Sequence, residues 1–347
     1  MQYLPLPPSQ LVTSDGAPIQ GRYAGRIDHI DWAGLRGPHA RSWLWQRFHH
    51  KRWRYVGIGS DEVFIGVAIV DLGWTCTAFA YVFDRIRKEI VADWRQDGLP
   101  GLQGGVSDQP VQGSKAWFRG PFARLWLRHG DAGENDEDDA DTQAQPDILQ
   151  LHVRTRAMKV EAEISLADAA PFLLGVGPVA GGVVHATQKS PALPVCGWLN
   201  VRGRRFDLAQ AVACLDSSNG LLARDTEWRW ACAQSREVGF NLQQGYFGDN
   251  ENAMWLHGKL IPLGSARFDF DRHQPLATWR ISTDDGLLDL VFTPEGARRE
   301  NRNLLIASSQ YVQPVGTFAG TVRASREAPP QRVVGLLGVT EDHRSRW

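Results

Sequence analysis

RGRRFDLAQAVACLDSSNGLLARDTEWRWACA, residues 202–233, is the stretch that decides the fold class of this 347-residue chain. Near its end Trp228, Trp230 and Cys232 share one face of a pattern with the two-residue period of a β-strand, and Glu227 and Arg229 fall on the other face. The letters DSSNG, beginning at Asp216, are turn formers and predict an Asx-type turn. Similar short runs of β-branched and aromatic residues recur along the chain between Gly, Pro, Asn and Asp. The sequence therefore predicts an all-β protein of sandwich or barrel type with few short helices.

The overall composition argues against several function classes. Thirty-eight basic and thirty-nine acidic residues leave a formal charge of −1, so the chain has no global field that would attract nucleic acid or anionic lipid. The opening residues, MQYLPLPPSQLVTSDG, lack both a basic region and a continuous apolar region, and they do not resemble a secretory signal. No apolar run is long enough to predict a transmembrane segment. We therefore expect a cytoplasmic protein.

The distribution of Gly, Pro and acidic residues predicts two domains. We place an N-terminal β-barrel-like domain at residues 1–170 and a C-terminal one at 195–347. A Gly/Pro-rich connection at 171–194 separates them. Residues 130–146 carry a run of carboxylates, which predicts a solvated loop because like charges repel one another and resist burial.

No motif for a cofactor or a metal stands out. Gly175, Gly177 and Ala180 spell G-x-G-x-x-A, but Pro178 interrupts the motif and no helical pattern follows it, so it does not predict a nicotinamide site. The four cysteines show neither zinc-ligand spacing nor a C-x-x-C pair. We predict neither cofactor nor metal.

The segment RSWLWQRFHHKRWRYVGI, residues 41–58, mixes cations with aromatic side chains. Such a mixture is typical of proteins that bind single-stranded nucleic acid, which stays as an alternative function. A strand in this region would place Trp53 and Tyr55 on one face and Arg52 and Arg54 on the other. The preferred interpretation is a strand that presents its aromatic face to a cavity.

Several motifs together resemble a known family. They are HATQKSPALPVCGWLNVRGRRFDLAQAVACLDSSNGLLARDTEWRWACAQ at 185–234, FNLQQGYFGDNENAMWLHGKL at 240–260 and GLLGVTEDHRSRW at 335–347. In combination they resemble the bacterial family described as domain of unknown function 2804. That resemblance implies no known reaction.

The segment at 202–220, with TEWRWACA after it, is also similar to lipocalin-like proteins of the carotenoid hydratase and tocopherol cyclase type. The similarity implies two consecutive lipocalin-like (calycin) β-barrel or barrel-like domains with apolar interiors. Proteins of that type add water to isoprenoids or cyclise them by protonating an alkene in a dry, aromatic-lined cavity. Here Asp216 keeps the carboxylate of the pattern and Gly220 its glycine, whereas Ser217 stands where the hydratases carry histidine.

A second set of candidates comes from a predicted hairpin with strands at 238–241 and 254–263 and a turn at 244–250. Period two places Asn241 and Glu251 on one polar face with Trp255 and His257. The alternative is a hairpin with no role beyond its Asn/Asp-rich tip.

These patterns give a set of candidate site residues. The candidate catalytic groups are Asp216, Glu251 and His185. The candidate ligand-binding residues are Trp53, Tyr55, Trp228, Trp230, Asn241, Asn252, Trp255 and His257. Each also has a structural interpretation, as a turn former, a hydrogen-bonded histidine or a packed core indole.

The predicted function is binding of an apolar small molecule, lipid or isoprenoid in character, in a Trp-lined β-barrel cavity. Cofactor-free acid-catalysed hydration, cyclisation or isomerisation there would make the protein a lyase or an isomerase. Binding without catalysis has equal weight, because the sequence shows no complete catalytic constellation. A structural or interaction module that presents edge strands to a partner is a further alternative.

Overall fold

The computed structural model describes residues 3–130, 147–303 and 307–347. Across these residues the regular structure is almost entirely β, with one α-helix, α1 (Trp43–His49), and one 3-10 helix at Gly37–His39. Ser42 caps α1 by accepting a hydrogen bond from the backbone of Trp45. The predicted all-β class with two barrel-like domains is confirmed. Apart from Gly130, the predicted acidic loop lies outside the described residues.

Fifteen strands form the first sheet. They are β1 (Gly21–Ala24), β2 (His50–Gly59), β3 (Val63–Asp71), β4 (Cys76–Asp84), β5 (Glu89–Gly98), β6 (Gly104–Val106), β7 (Lys115–Gly120), β8 (Ala123–His129), β9 (Ile148–Arg154), β10 (Met158–Ser165), β11 (Leu173–Pro178), β12 (Val184–Lys189), β13 (Leu193–Val201), β14 (Arg204–Asp207) and β15 (Val212–Leu221).

The first sheet curls into a nearly closed barrel. Its main path runs β5-β4-β3-β2-β15-β13-β10-β9-β8-β7-β6, and β6 packs back over β3. Strands β12, β11 and β1 branch from β15 in that order. Aliphatic side chains from alternate positions fill the barrel, among them Val56, Ile58, Ile65, Val67 and Leu125. Period-two alternation thus leaves the opposite face of β2 and β3 free to pack elsewhere.

Nine strands form the second sheet, a half-barrel. They are β16 (Asp225–Gln234), β17 (Val238–Gly245), β18 (Ala253–Leu256), β19 (Lys259–Pro262), β20 (Ala266–Asp269), β21 (Trp279–Thr283), β22 (Leu288–Asn303), β23 (Ser308–Val322) and β24 (Gln331–Arg346). Their order is β19-β18-β17-β16-β24-β23-β22-β21-β20.

The outer face of the barrel packs against one face of the half-barrel. Tyr55 of β2 meets Trp230 of β16 edge to face, with ring centroids 5.7 Å apart. Tyr81, Val315 and Val339 belong to the same buried cluster. Burial of these side chains provides apolar contact that holds the two sheets together.

The structure corrects the predicted turn at DSSNG. These residues lie inside β15, which pairs with β2 along one side and with β12 along the other. Turn formers are tolerated there because their side chains find buried partners: Ser217 donates to Pro110 O at 2.6 Å, and Asn219 Nδ2 donates to Ile30 O at 3.2 Å.

The chain passes from the first sheet to the second at residues 222–224. Residues 171–194 contain β11, β12 and the start of β13, all in the first sheet. The division into domains at 171–194 stays a prediction.

The predicted strand at 254–263 is two strands, β18 and β19. They are joined at His257 and Gly258, which have φ angles of 50° and 76°. The left-handed conformation makes a tight turn that ends the first strand early, and glycine adopts it without strain. No helix among the described residues has the length and hydropathy needed to cross a membrane.

Candidate functional site

A cavity of about 250 Å³ lies between the barrel and the half-barrel. Its aromatic lining includes Trp53, Tyr55, Phe79, Trp228, Trp230 and Tyr246. The sequence predicted a cavity inside a barrel, but the barrel interior is filled by the aliphatic core. The cavity lies outside the barrel, between the two sheets. Period two explains this arrangement, since β2 sends Val56 inward and Tyr55 outward.

A buried ion triad forms part of the cavity wall. Lys189 Nζ lies 2.8 Å from Asp216 Oδ2 and 3.0 Å from Glu251 Oε2. All three side chains are largely buried and line the cavity. One ammonium group therefore neutralises two carboxylates only in part.

Strand register places the first two members of the triad. Lys189 of β12 lies directly across from Asp216 of β15. The Asp216 carboxylate also accepts hydrogen bonds from Thr187 Oγ1 at 3.2 Å, Ser218 Oγ at 3.1 Å and Trp53 Nε1 at 3.4 Å. These donors fix the carboxylate in one orientation.

Glu251 comes from the loop between β17 and β18, which docks onto the first sheet. A Cβ atom at Gly175 of β11 would lie 2.2 Å from Asn250 O, so only glycine permits this approach. Arg22 Nη1 donates to Leu263 O at 2.6 Å and to Asn252 O at 3.3 Å. The glycines of the G-x-G-x-x-A motif thus make room for the loop that carries an acidic site residue.

Burial and charge shift the pKa values within the triad. Burial raises the pKa of Glu251 above its ordinary range, although the Lys189 ammonium opposes this shift. For Lys189, burial would lower the pKa, but Asp216 and Glu251 outweigh it and hold the pKa above the ordinary value. The triad therefore combines a permanent cation with a carboxyl group that takes up a proton more readily than usual.

His185 lies behind this wall among aromatic rings. Its ring stacks on Trp53 with centroids 5.4 Å apart and meets Phe247 edge to face at 4.6 Å. Burial, with the nearby Lys189 charge, lowers the pKa of His185 to about 3. Neither ring nitrogen has a hydrogen-bond partner among the described residues. His185 is therefore a neutral packing residue outside the cavity lining.

A second polar group borders the cavity around Glu341. Its carboxylate accepts hydrogen bonds from Trp228 Nε1 at 2.8 Å and Gln313 Nε2 at 3.0 Å. Gln313 in turn accepts one from the Tyr81 hydroxyl. His343 Nδ1 lies 3.3 Å from the same carboxylate. These bonds fix Trp228 in the wall with its ring toward the cavity.

A rim of paired charges also borders the cavity. Arg302 bonds to Asp97 at 2.7 Å, and Arg298 lies 4.4 Å from the Phe79 ring centroid. Glu300 accepts from Arg95 and, at 3.5 Å, from Arg298. The rim leaves part of the boundary polar while the walls stay apolar.

The structure brings together six of the sequence candidates at the cavity: Trp53, Tyr55, Asp216, Trp228, Trp230 and Glu251. It places the others elsewhere. Asn241 accepts from Trp230 Nε1 at 2.8 Å, and Asn252 Nδ2 donates to Gly264 O at 3.0 Å, so both amides support the site's framework. Trp255 donates to Pro171 O at 2.8 Å, and His257 is exposed.

The cations of β2, in the segment at 41–58, form ion pairs and hydrogen bonds within the protein. Arg52 bonds to Asp71 and Asp108 at 2.7 and 3.0 Å. Arg54 donates to Ser107 O and Gln109 O, at 2.9 and 2.6 Å. Lys51 is fully buried. These cations do not form a free basic face, which weakens the nucleic-acid alternative.

Sequence reasoning missed Lys189, Tyr246, Glu341 and His343. Lys189 and Tyr246 lie in segments interpreted as a connection and a turn. The signal for the other two is the run EDHRS at 341–345, in which Glu341, His343 and Ser345 share one strand face.

The family resemblance is confirmed: the model of a domain of unknown function, DUF2804, matches residues 6–347. Among curated proteins none matches this sequence.

Solved structures share the architecture at low sequence identity. Kievitone hydratase from Nectria haematococca is 12% identical, with a TM-score of 0.50 and coverage of 98% of both chains. CghA, solved with Sch210972, is 12% identical with a TM-score of 0.53, over 98% of this chain and 97% of that one. A Nitrosomonas europaea protein provisionally named AttH is 12% identical with a TM-score of 0.53, over 89% and 96%. These similarities show the fold.

Proposed function

We infer that this chain, which belongs to the DUF2804 family, functions through the cavity between its two sheets. We propose that the cavity between the two sheets binds an apolar, isoprenoid-like or lipid-like small molecule and catalyses a cofactor-free hydration, cyclisation or isomerisation. The observation that carries this proposal is the buried Lys189–Asp216–Glu251 triad in the wall of an aromatic cavity.

The lining of the cavity supports an apolar class of ligand. Its aromatic and aliphatic walls, with Val70, Leu72 and Phe79 among them, favour a hydrocarbon framework. Gln243 Oε1 is buried in this wall and has no hydrogen-bond partner among the described residues. A buried acceptor of this kind gains from a ligand hydroxyl, so we expect an apolar molecule with at least one hydroxyl group.

Glu251 is the proton donor in this proposal, since burial raises its pKa. Transfer of its proton to an alkene carbon leaves a carboxylate, which the Lys189 ammonium stabilises at 3.0 Å. The carbocation formed on the substrate is stabilised by the faces of Trp53, Trp228 and Trp230. Asp216 holds Lys189 in place.

The fate of the cation defines the reaction. Attack by water gives hydration, attack by a second double bond gives cyclisation, and loss of a neighbouring proton gives isomerisation. Kievitone hydratase shares the fold with this chain; the support for a hydratase-like reaction here comes from the acid and the aromatic walls.

Incubation in heavy water tests the proposal. The purified protein is mixed with geraniol, farnesol and β-ionone as probes, and products are analysed by mass spectrometry. We expect a product with solvent deuterium on carbon, formed about 100-fold more slowly by Glu251→Gln. The matched control, Glu237→Gln at an exposed position, should match the wild type. Equal deuterium incorporation by Glu251→Gln and wild type would contradict the role of Glu251.

Binding without catalysis is the second candidate, favoured by the 3.0 Å contact between Lys189 and Glu251, because the ammonium stabilises the ionised carboxylate over the acid. It predicts that the probes quench Trp fluorescence with no deuterium in the recovered ligand. The same samples therefore separate the two functions.

A further inference from the structure

A serine, a histidine and a carboxylate form a chain of contacts on the half-barrel side of the cavity. Ser309 Oγ of β23 lies 3.0 Å from His343 Nε2 of β24. His343 Nδ1 lies 3.3 Å from Glu341 Oε1 on the same strand. All three residues line the cavity. This arrangement shares no residue with the Lys189 triad.

The partners of Glu341 select the histidine tautomer. The Glu341 carboxylate acts as an acceptor toward Trp228 Nε1 and Gln313 Nε2, so it also accepts the proton on His343 Nδ1. The unprotonated Nε2 then faces Ser309. Trp228 and Tyr311 hold the imidazole, with ring centroids 4.2 and 5.1 Å away.

A second serine, Ser345, also contacts His343 Nε2, at 2.7 Å. Ser345 is 5% exposed and does not border the cavity, whereas Ser309 does. Of the two hydroxyls, only that of Ser309 can meet a ligand. Ser345 helps to hold the imidazole.

We propose that Ser309, His343 and Glu341 form a nucleophile–base–carboxylate relay that hydrolyses esters with an apolar acyl group. The spacing satisfies the geometric requirement that the nucleophile contact its base and the base contact an orienting group. The apolar cavity supplies the binding surface for the acyl chain.

The reaction has two balanced halves. Ser309 Oγ attacks the ester carbonyl carbon, and its proton moves to His343 Nε2. The bond to the alcohol oxygen breaks, and the same proton passes to the leaving alcohol. Water, deprotonated by His343, then releases the acid and restores the serine hydroxyl. Arg302 lies directly across from Ser309 in the sheet and lines the cavity. We therefore place the developing oxyanion next to the Arg302 guanidinium.

A fluorophosphonate with a long alkyl chain tests the relay without knowledge of the natural ester. We expect the wild-type protein to gain one phosphonyl group, in displacement of fluoride, located on Ser309 by peptide mass spectrometry. Ser309→Ala should abolish labelling, and His343→Asn should slow it about 100-fold. Ser265→Ala, at an exposed position, is the matched control and should retain labelling at Ser309.

No adduct on the wild-type protein would overturn the proposal, as would an adduct on any residue other than Ser309. The wild-type result is decisive even if a variant fails to fold, because the labelled peptide identifies the nucleophile. Labelling is measured without an isoprenoid probe, so its failure is distinct from a failure of the proposed hydratase-like function.

Discussion

Lys189 of the barrel and Glu251 of the loop after β17 form an ion pair of 3.0 Å across the boundary between the two sheets. The pair is buried, and Asp216 shares the same ammonium group at 2.8 Å. The candidate acid of the site is therefore positioned by contact between the two halves of the molecule.

Replacement of Lys189 by Met should strongly destabilise the fold. It leaves the buried Asp216 carboxylate without its cation, which typically costs about 3–5 kcal/mol. Urea unfolding measures the loss, with Lys159→Met at an exposed strand position as the control. A loss as small as that of the control would show that the triad is not electrostatically coupled.

Gly175→Ala should displace the loop that carries Glu251. The added methyl group would lie 2.2 Å from Asn250 O, a backbone atom that moves only with the loop. We expect a lower free energy of unfolding and weaker probe binding together. Gly34→Ala, where the nearest atom is a Val12 side-chain carbon at 3.3 Å, is the milder control. Unchanged binding in Gly175→Ala would argue against a docked loop.

His185 should make the protein sensitive to acid. Its folded-state pKa of about 3 lies below the ordinary value of 6.5, so the unfolded state binds more protons between these values. The free energy of unfolding is therefore highest above pH 6.5 and falls as the pH drops toward 3, with a total loss of about 5 kcal/mol. The free energies of unfolding of wild type and His185→Leu, measured from pH 7 to 4, should therefore diverge. Parallel curves would contradict the neutral, buried histidine.

Lys51 should make the free energy of unfolding depend on pH in a higher range than His185 does. Burial lowers the pKa of this fully buried amine to about 7, below its ordinary value of 10.5. The wild-type protein should lose stability relative to Lys51→Met as the pH falls from about 10 to 7. Thermal unfolding at both pH values tests this, with Lys159→Met as the matched control. A constant difference between wild type and Lys51→Met would show that Lys51 keeps an ordinary pKa.

Local periodicity predicted the strand faces well. The alternation around Trp53 and Trp228 correctly separated the faces of β2 and β16, because side chains on a strand alternate whatever its partners are. The turn prediction at DSSNG was wrong because tertiary hydrogen bonds satisfied its polar side chains inside β15.

The residues that meet at the site could not be predicted from local sequence, because contacts between distant segments bring them together. Lys189 meets Asp216 only through the β12–β15 register, and Glu251 reaches both through the docking of its loop. Neither contact leaves a local pattern in the sequence. The same holds for the position of the cavity, since nothing in the spacing of residues tells the interior of one barrel from the space between two sheets.

The most direct test of the central claim is mass spectrometry of organic extracts from the purified, undenatured protein. Ala68 lines the cavity and is 4% exposed, so Ala68→Phe should fill part of the space, whereas Ala157→Phe at an exposed turn should not. We predict that an apolar molecule co-purifies with the wild type and with Ala157→Phe but is depleted from Ala68→Phe. Equal amounts in all three proteins, or no ligand in the wild type together with no quenching by the isoprenoid probes, would contradict a ligand site between the two sheets.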